Sequence, residues 1–136
     1  MRIKLMSVVA IAGVLLSTTL PLAAHHSFSA EFDGSKTVTL DGKVVMMEWV
    51  NPHSWLHIDA TMPDGKVERW KVEGGSPSVL LRLGWNRDSF PAGAKIKVTG
   101  SPAKDGAKRL NSRNIEFPDG RKMSLGGSNP GAEQPK

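Results

Sequence analysis

Four histidines carry most of the chemistry this sequence can offer, and they fall in two pairs: His25-His26, and His53 with His57. The first pair follows Pro21-Leu22-Ala23-Ala24, where an apolar leader gives way to polar sequence. A peptidase cut after Ala24 would leave a free α-amine beside two imidazoles. Amine and imidazole nitrogens are donors for divalent copper or zinc, and planar nitrogen ligation favours Cu(II) over Zn(II). His25 can chelate through its own amine and ring, and His26 or His53 can complete the set. His25, His26 and His53 are therefore the candidate metal ligands, with copper as the candidate cofactor.

The second pair is tested by spacing. Residues four apart on a strand are separated by about 13 Å at roughly 3.3 Å per residue. Two imidazoles binding at about 2 Å cannot comfortably share one metal across that distance. Pro52 and the alternation that follows argue against a helix, which would have brought the rings together. A hairpin centred on Pro63-Asp64-Gly65, with Leu56 and Ile58 facing inward, sets Asp59 opposite Arg69, His57 opposite Lys71 and Trp55 near Glu73. A facing ammonium disfavours a cation at His57, so this outer face reads as a ladder of cross-strand pairs. Its functional alternative is a metal-independent face for a small ligand or an envelope protein, formed by Trp55, His57 and Arg69, with Trp85 as a second exposed indole. His53 follows Asn51-Pro52 at a strand entry, where loops carry function. It reads either as a ligand or as a turn residue.

Several reaction classes find no residues. The chain has no cysteine, which excludes disulfides, thiolate metal sites and Cys nucleophiles. It has no Gly-x-Ser-x-Gly elbow and no Gly-rich phosphate loop. Glu31, Asp33, Glu48, Asp59 and Glu73 are individually ordinary; Glu31 and Asp33 read as solvated residues of the arm, with an oxygen ligand or supporting partner for the terminal pair as the alternative. A terminal His brace also builds copper oxygenases, but no flat surface rich in exposed aromatics accompanies it here. The expectation is a binding or accessory module, not an enzyme.

The positioning elements are mostly strands. Arg2 and Lys4 precede an apolar stretch from Leu5 to Leu20 diluted by Ser17, Thr18 and Thr19, the pattern of a cleaved secretory signal over 1–24. It is too short and polar for a lasting membrane anchor, so a periplasmic protein is expected, without stable membrane insertion. Losing Arg2 and Lys4 lowers the formal charge from +5 to +3. The basic run Lys104, Lys108, Arg109 and Arg113 then reads as a solvated face, and no nucleic-acid partner is expected. Residues 25–36 read as an extended arm pinned by Phe28 and Phe32.

Over 37–125 the pattern is a barrel domain. A long strand from Thr37 to Val50 is interrupted by Gly42, which suggests a bulge or bend. Strands follow over 54–61, 67–73, 95–99 and 110–117, with a continuation over 122–125. Ser76 as N-cap, Pro77 at the first helical position, an apolar Val79-Leu80-Leu83 stripe and Gly84 as stop define one short helix. Trp49 and Trp70 read as core. Three strands, a helix and two strands is the order of an OB-like five-stranded β-barrel, an all-β fold with one short helix. An open, sandwich-like sheet with one helix plugging an end is the alternative. Residues 126–136, rich in Gly, Pro and Ser, read as a disordered tail.

The segments HHSFSAEFD over 25–33, Asn51-Pro52-His53, Glu73-Gly74-Gly75-Ser76-Pro77, Arg82-Leu83-Gly84-Trp85 and GSPAKDG over 100–106 resemble a family of short exported Gram-negative proteins catalogued as a domain of unknown function. The resemblance implies a periplasmic location and a small β-barrel. It brings no activity, and it gives His25, His26 and His53 no established role.

Overall fold

Six strands and two short helices follow one another in residues 27–128, the part of the chain described by the computed structural model. The leader, His25, His26 and residues 129–136 lie outside the described residues. The elements are α1 (Phe28–Glu31), β1 (Val38–Glu48), β2 (Trp55–Thr61), β3 (Val67–Glu73), α2 (Pro77–Arg82), β4 (Lys95–Pro102), β5 (Arg109–Glu116) and β6 (Lys122–Met123). The sheet order is β3-β2-β1-β4-β5-β6, and a parallel β3–β5 pairing closes the first five strands into a barrel. This is the OB-like architecture that the strand and helix order predicts, not the open sheet.

Alternation builds the barrel wall. Leu56, Ile58 and Ala60 of β2 point inward and are fully buried, as are Val72, Val98, Leu110 and Ile115 from the other strands. The β2–β3 hairpin has the expected register, with Trp55 opposite Glu73, His57 opposite Lys71 and Asp59 opposite Arg69. Trp49 and Trp70 pack half-buried against the core. β1 ends at Glu48, before Trp49, and its bulge falls between Val44 and Met46 rather than at Gly42. Gly42 has a different use. A Cβ there would sit 2.9 Å from the Asp59 carbonyl oxygen, so its missing side chain lets β1 approach β2 closely.

α2 forms as its sequence dictates. The Ser76 hydroxyl accepts a hydrogen bond from the Val79 N–H, Pro77 opens the helix, and Gly84 follows its end with φ of +89°. Leu80 is fully buried in the core. The arm departs from the expected extended form, because residues 28–31 make one helical turn that stacks Phe28 on Phe32 at 5.9 Å. Neighbours at i and i+4 meet only on a helix, and here the pairing closes the arm over the barrel. Phe32 is buried, bridges to Ala103, and is followed by an Asp33 N–H bonded to the Pro102 carbonyl. The pin foreseen in Phe32 is real and contributes about 1.5–3 kcal/mol of apolar burial.

The tail expected to be disordered from residue 126 is packed at its start, where Gly127 is buried, as is Leu125 just before it. Leu125 is fully buried, its carbonyl accepts from the Gly75 N–H, and Ser128 accepts from Asn111. Gly74 and Gly75 permit this approach, since a Cβ on either would lie 2.7 Å from atoms of Leu125 or Gly126.

Candidate functional site

Where β3 closes against β5, three polar side chains meet. Glu73 and Asn111 are direct register partners across the parallel pair, and both are buried. The Asn111 Nδ2 donates to Glu73 Oε1 at 3.1 Å and to the Ser128 hydroxyl at 3.0 Å. His53 arrives from the loop before β2. Backbone bonds from Ser54 N–H to the Gly75 carbonyl and from Gly74 N–H to the Ser54 carbonyl hold that loop beside the end of β3. His53 Nδ1 lies 3.6 Å from Glu73 Oε1, within ion-pair range but beyond hydrogen-bond reach, and is buried with no hydrogen-bond partner among the described residues.

The arm reaches the same end. Arg109, at the start of β5, meets Glu31 Oε2 at 3.4 Å and Asp105 at 2.9 Å, and its guanidinium lies over the Phe32 ring. The Glu31 carbonyl accepts from the Lys104 N–H, and the Lys104 ammonium donates to the Ser29 carbonyl. Glu31 thus ties the segment that follows His25 and His26 to the closing strand.

Burial raises the Glu73 carboxyl above its ordinary range, and the nearby Glu31 charge adds to this; His53, Arg109 and the Asn111 hydrogen bond act in the opposite direction. A carboxyl with a raised native pKa contributes stability at pH below its unfolded value and loses that contribution as pH rises through the native value. Glu73→Gln is uncharged, nearly isosteric and still able to accept from Asn111. It is expected to gain stability relative to the parent as pH climbs from acid to neutral. Denaturant unfolding of both proteins across that range checks this; a constant difference would show that Glu73 ionises without cost.

The histidines divide between two places. His57 Nε2 is buried 3.0 Å from Glu48 Oε1, without the alignment of a hydrogen bond. His53 faces Glu73, so the two rings have different carboxylates, as their spacing requires. Lys71 stands opposite His57 as expected, and its ammonium lies over the neighbouring Trp55 ring at 5.5 Å. Asp59 is held by Arg69, whose hydrogen bond keeps the aspartate carboxyl below its usual range. The outer face is a ladder of pairs: Lys71 on Trp55, Glu48 by His57, Arg69 on Asp59.

Trp85 does not belong to that face. It is 3 % exposed, stacks on Phe90 at 4.7 Å, and donates from Nε1 to the Ser124 carbonyl. The residue after a helix stop reads as loop, but here the chain turns inward and the indole becomes core. His25 and His26 lie outside the described residues. Among the described residues no group of three or more His, Asp or Glu side chains gathers as a metal site, and no helix is long and apolar enough to cross a membrane.

Sequence reading missed Glu73 and Asn111. Alternation along β3 shows which side of the sheet Glu73 occupies, but not that the 125–128 segment covers it. The available signal is Gly74-Gly75, a glycine pair at a strand end, which marks close approach of another backbone.

Fold and cluster together define a small OB-like barrel protein with a buried Glu-Asn pair and an unpartnered imidazole nitrogen at its closing end. The chain belongs to a family of unknown function, DUF6152, whose family model matches residues 12–111, a span that takes in all four histidines, Glu73 and Asn111. A search of curated proteins finds no match to it.

Proposed function

We propose that this is a periplasmic accessory protein, not an enzyme, that holds a transition metal, copper first, between its mature N-terminus and the closing end of its barrel. One observation carries the reading: His53 Nδ1 is buried without a hydrogen-bond partner beside the Glu73 carboxylate, at the end where Glu31 moors the arm. An imidazole nitrogen without a donor or acceptor opposite it is costly in a native structure unless something occupies that position. The ligand set is the α-amine and ring of His25 with His26 and His53, and Glu73 offers an oxygen. Nitrogen-rich sets of this kind suit Cu(II). Only Ser27 separates His26 from the turn of helix that Arg109 anchors through Glu31, so the arm is short enough to bring its histidines to the same end.

Cu(II) titration of the chain beginning at His25, set beside the same chain with its α-amine acetylated, tests the reading. Acetylation removes the amine from chelation with the His25 ring. Binding is expected to weaken about tenfold or more, which corresponds to about 1.4 kcal/mol. Equal, weak binding by both proteins would retire the metal reading.

A further inference from the structure

Lys43 of β1 and Lys95 of β4 are direct cross-strand partners. Like charges facing each other across an antiparallel pair cost stability, so the arrangement calls for a counter-charge. The described residues do not supply one, since neither ammonium has an ion-pair partner among them. The nearest carboxylates are committed elsewhere. Asp59, which faces Lys43 from β2, is held by Arg69. Asp41 lies 3.8 Å from Lys97, and Glu116 lies 3.3 Å from Lys122.

Both lysines line an open groove of about 610 Å³ formed by β1, β2, the start of β3, β4, the end of β5 and the turn after it. Small-molecule sites commonly measure about 300–1,000 Å³. The groove also has an apolar side, from Phe117 and from Val67, which is 65 % exposed. Two ammonium groups side by side, in a groove that also holds exposed Val67 and half-buried Phe117 with the Arg121 guanidinium over its ring, match a ligand with an acidic head and an apolar body.

We infer that this groove binds a small organic anion, its acidic group bridged by Lys43 and Lys95 and its apolar part lying on Val67 and Phe117. Lysine acts here as a compact point charge, not as a planar fork, so the head can be any acidic group of similar size. The groove shares no lining residue with the His53–Glu73 cluster, and the inference stands apart from metal binding.

Amide NMR titration of the purified protein with naphthalene-1-sulfonate, and with neutral naphthalene-1-methanol, is the test. The sulfonate is expected to saturate, with the largest shifts over residues 41–43 and 95–97. Lys43→Gln/Lys95→Gln should weaken it about tenfold or more, while Lys43→Arg/Lys95→Arg, which keeps both charges, should retain it. Both lysines are exposed, and unchanged spectral dispersion verifies that the variants fold. Equal affinity for the neutral probe, shifts centred elsewhere, undiminished binding by the glutamine variant, or no saturation at millimolar probe would overturn the inference.

Discussion

Trp85→Ala is expected to lower the unfolding free energy by about 3–5 kcal/mol, the usual loss for removing a large buried aromatic. The indole fills the space between α2 and the end of β5, stacked on Phe90 and tilted 40° against Phe117 at 6.0 Å. Alanine leaves a cavity, forfeits both ring contacts, and strands the Ser124 carbonyl that accepts from Nε1. Domains of this size have a total stability of about 5–15 kcal/mol, so the variant should unfold at much lower denaturant or not fold at ambient temperature. Trp85→Phe separates the terms. It keeps most of the packing but loses the hydrogen bond, for an expected cost of about 1–3 kcal/mol. Urea unfolding of the two variants beside the parent measures both. A near-neutral alanine variant would return Trp85 to the surface and restore it as a ligand-binding candidate.

Gly100→Ala should be nearly as severe, although it adds only a methyl group. A Cβ at Gly100 would collide with the Asn111 carbonyl oxygen and lie 3.0 Å from Leu110 Cγ. The obstacle is backbone, so no rotamer change relieves it. Gly→Ala in a strand ordinarily gains about 0.5–1 kcal/mol from the unfolded chain. Overpacking costs about 1–3 kcal/mol and sometimes more, and a contact this far inside van der Waals range belongs at the upper end. The expected net loss is about 3 kcal/mol. Relief requires β5 to move away from β4 at Asn111, the residue that holds Glu73, so amide shifts should change at Glu73 and Asn111 ahead of the rest of the barrel. Thermal and urea unfolding with an NMR spectrum of the variant test this; a neutral or stabilised variant would mean that β4 and β5 are not pressed together at this point.

The parts of this molecule that were legible in its sequence are those fixed by neighbours along the chain. The β2–β3 register follows from alternation around a single turn, which is why the Asp59–Arg69 pair could be placed in advance. The α2 boundaries follow from Ser76, Pro77 and Gly84, each acting within one helical turn. The illegible parts depend on what a distant segment covers. Trp85 becomes core because Phe90, Phe117 and Ser124 surround it. Glu73 becomes a buried carboxyl because β5 and the 125–128 segment close over it. The α1 turn exists because Phe32 finds a pocket beside Ala103, and local pattern at 25–35 holds no trace of that pocket. For the candidate metal site, His53 was legible as a loop histidine; its carboxylate partner was not.

Leu125 has a bearing on when this protein can exist at all. It is core, yet it follows the last strand of the sheet, and the β3–β5 closure beneath it joins strands separated by α2 and β4. Folds built on such distant pairings form slowly, because the chain must close long loops before contacts repay the entropy. The barrel is therefore incomplete until β5 and the 125–128 segment packed against it are both in place, and a chain that lacks either stays pliable.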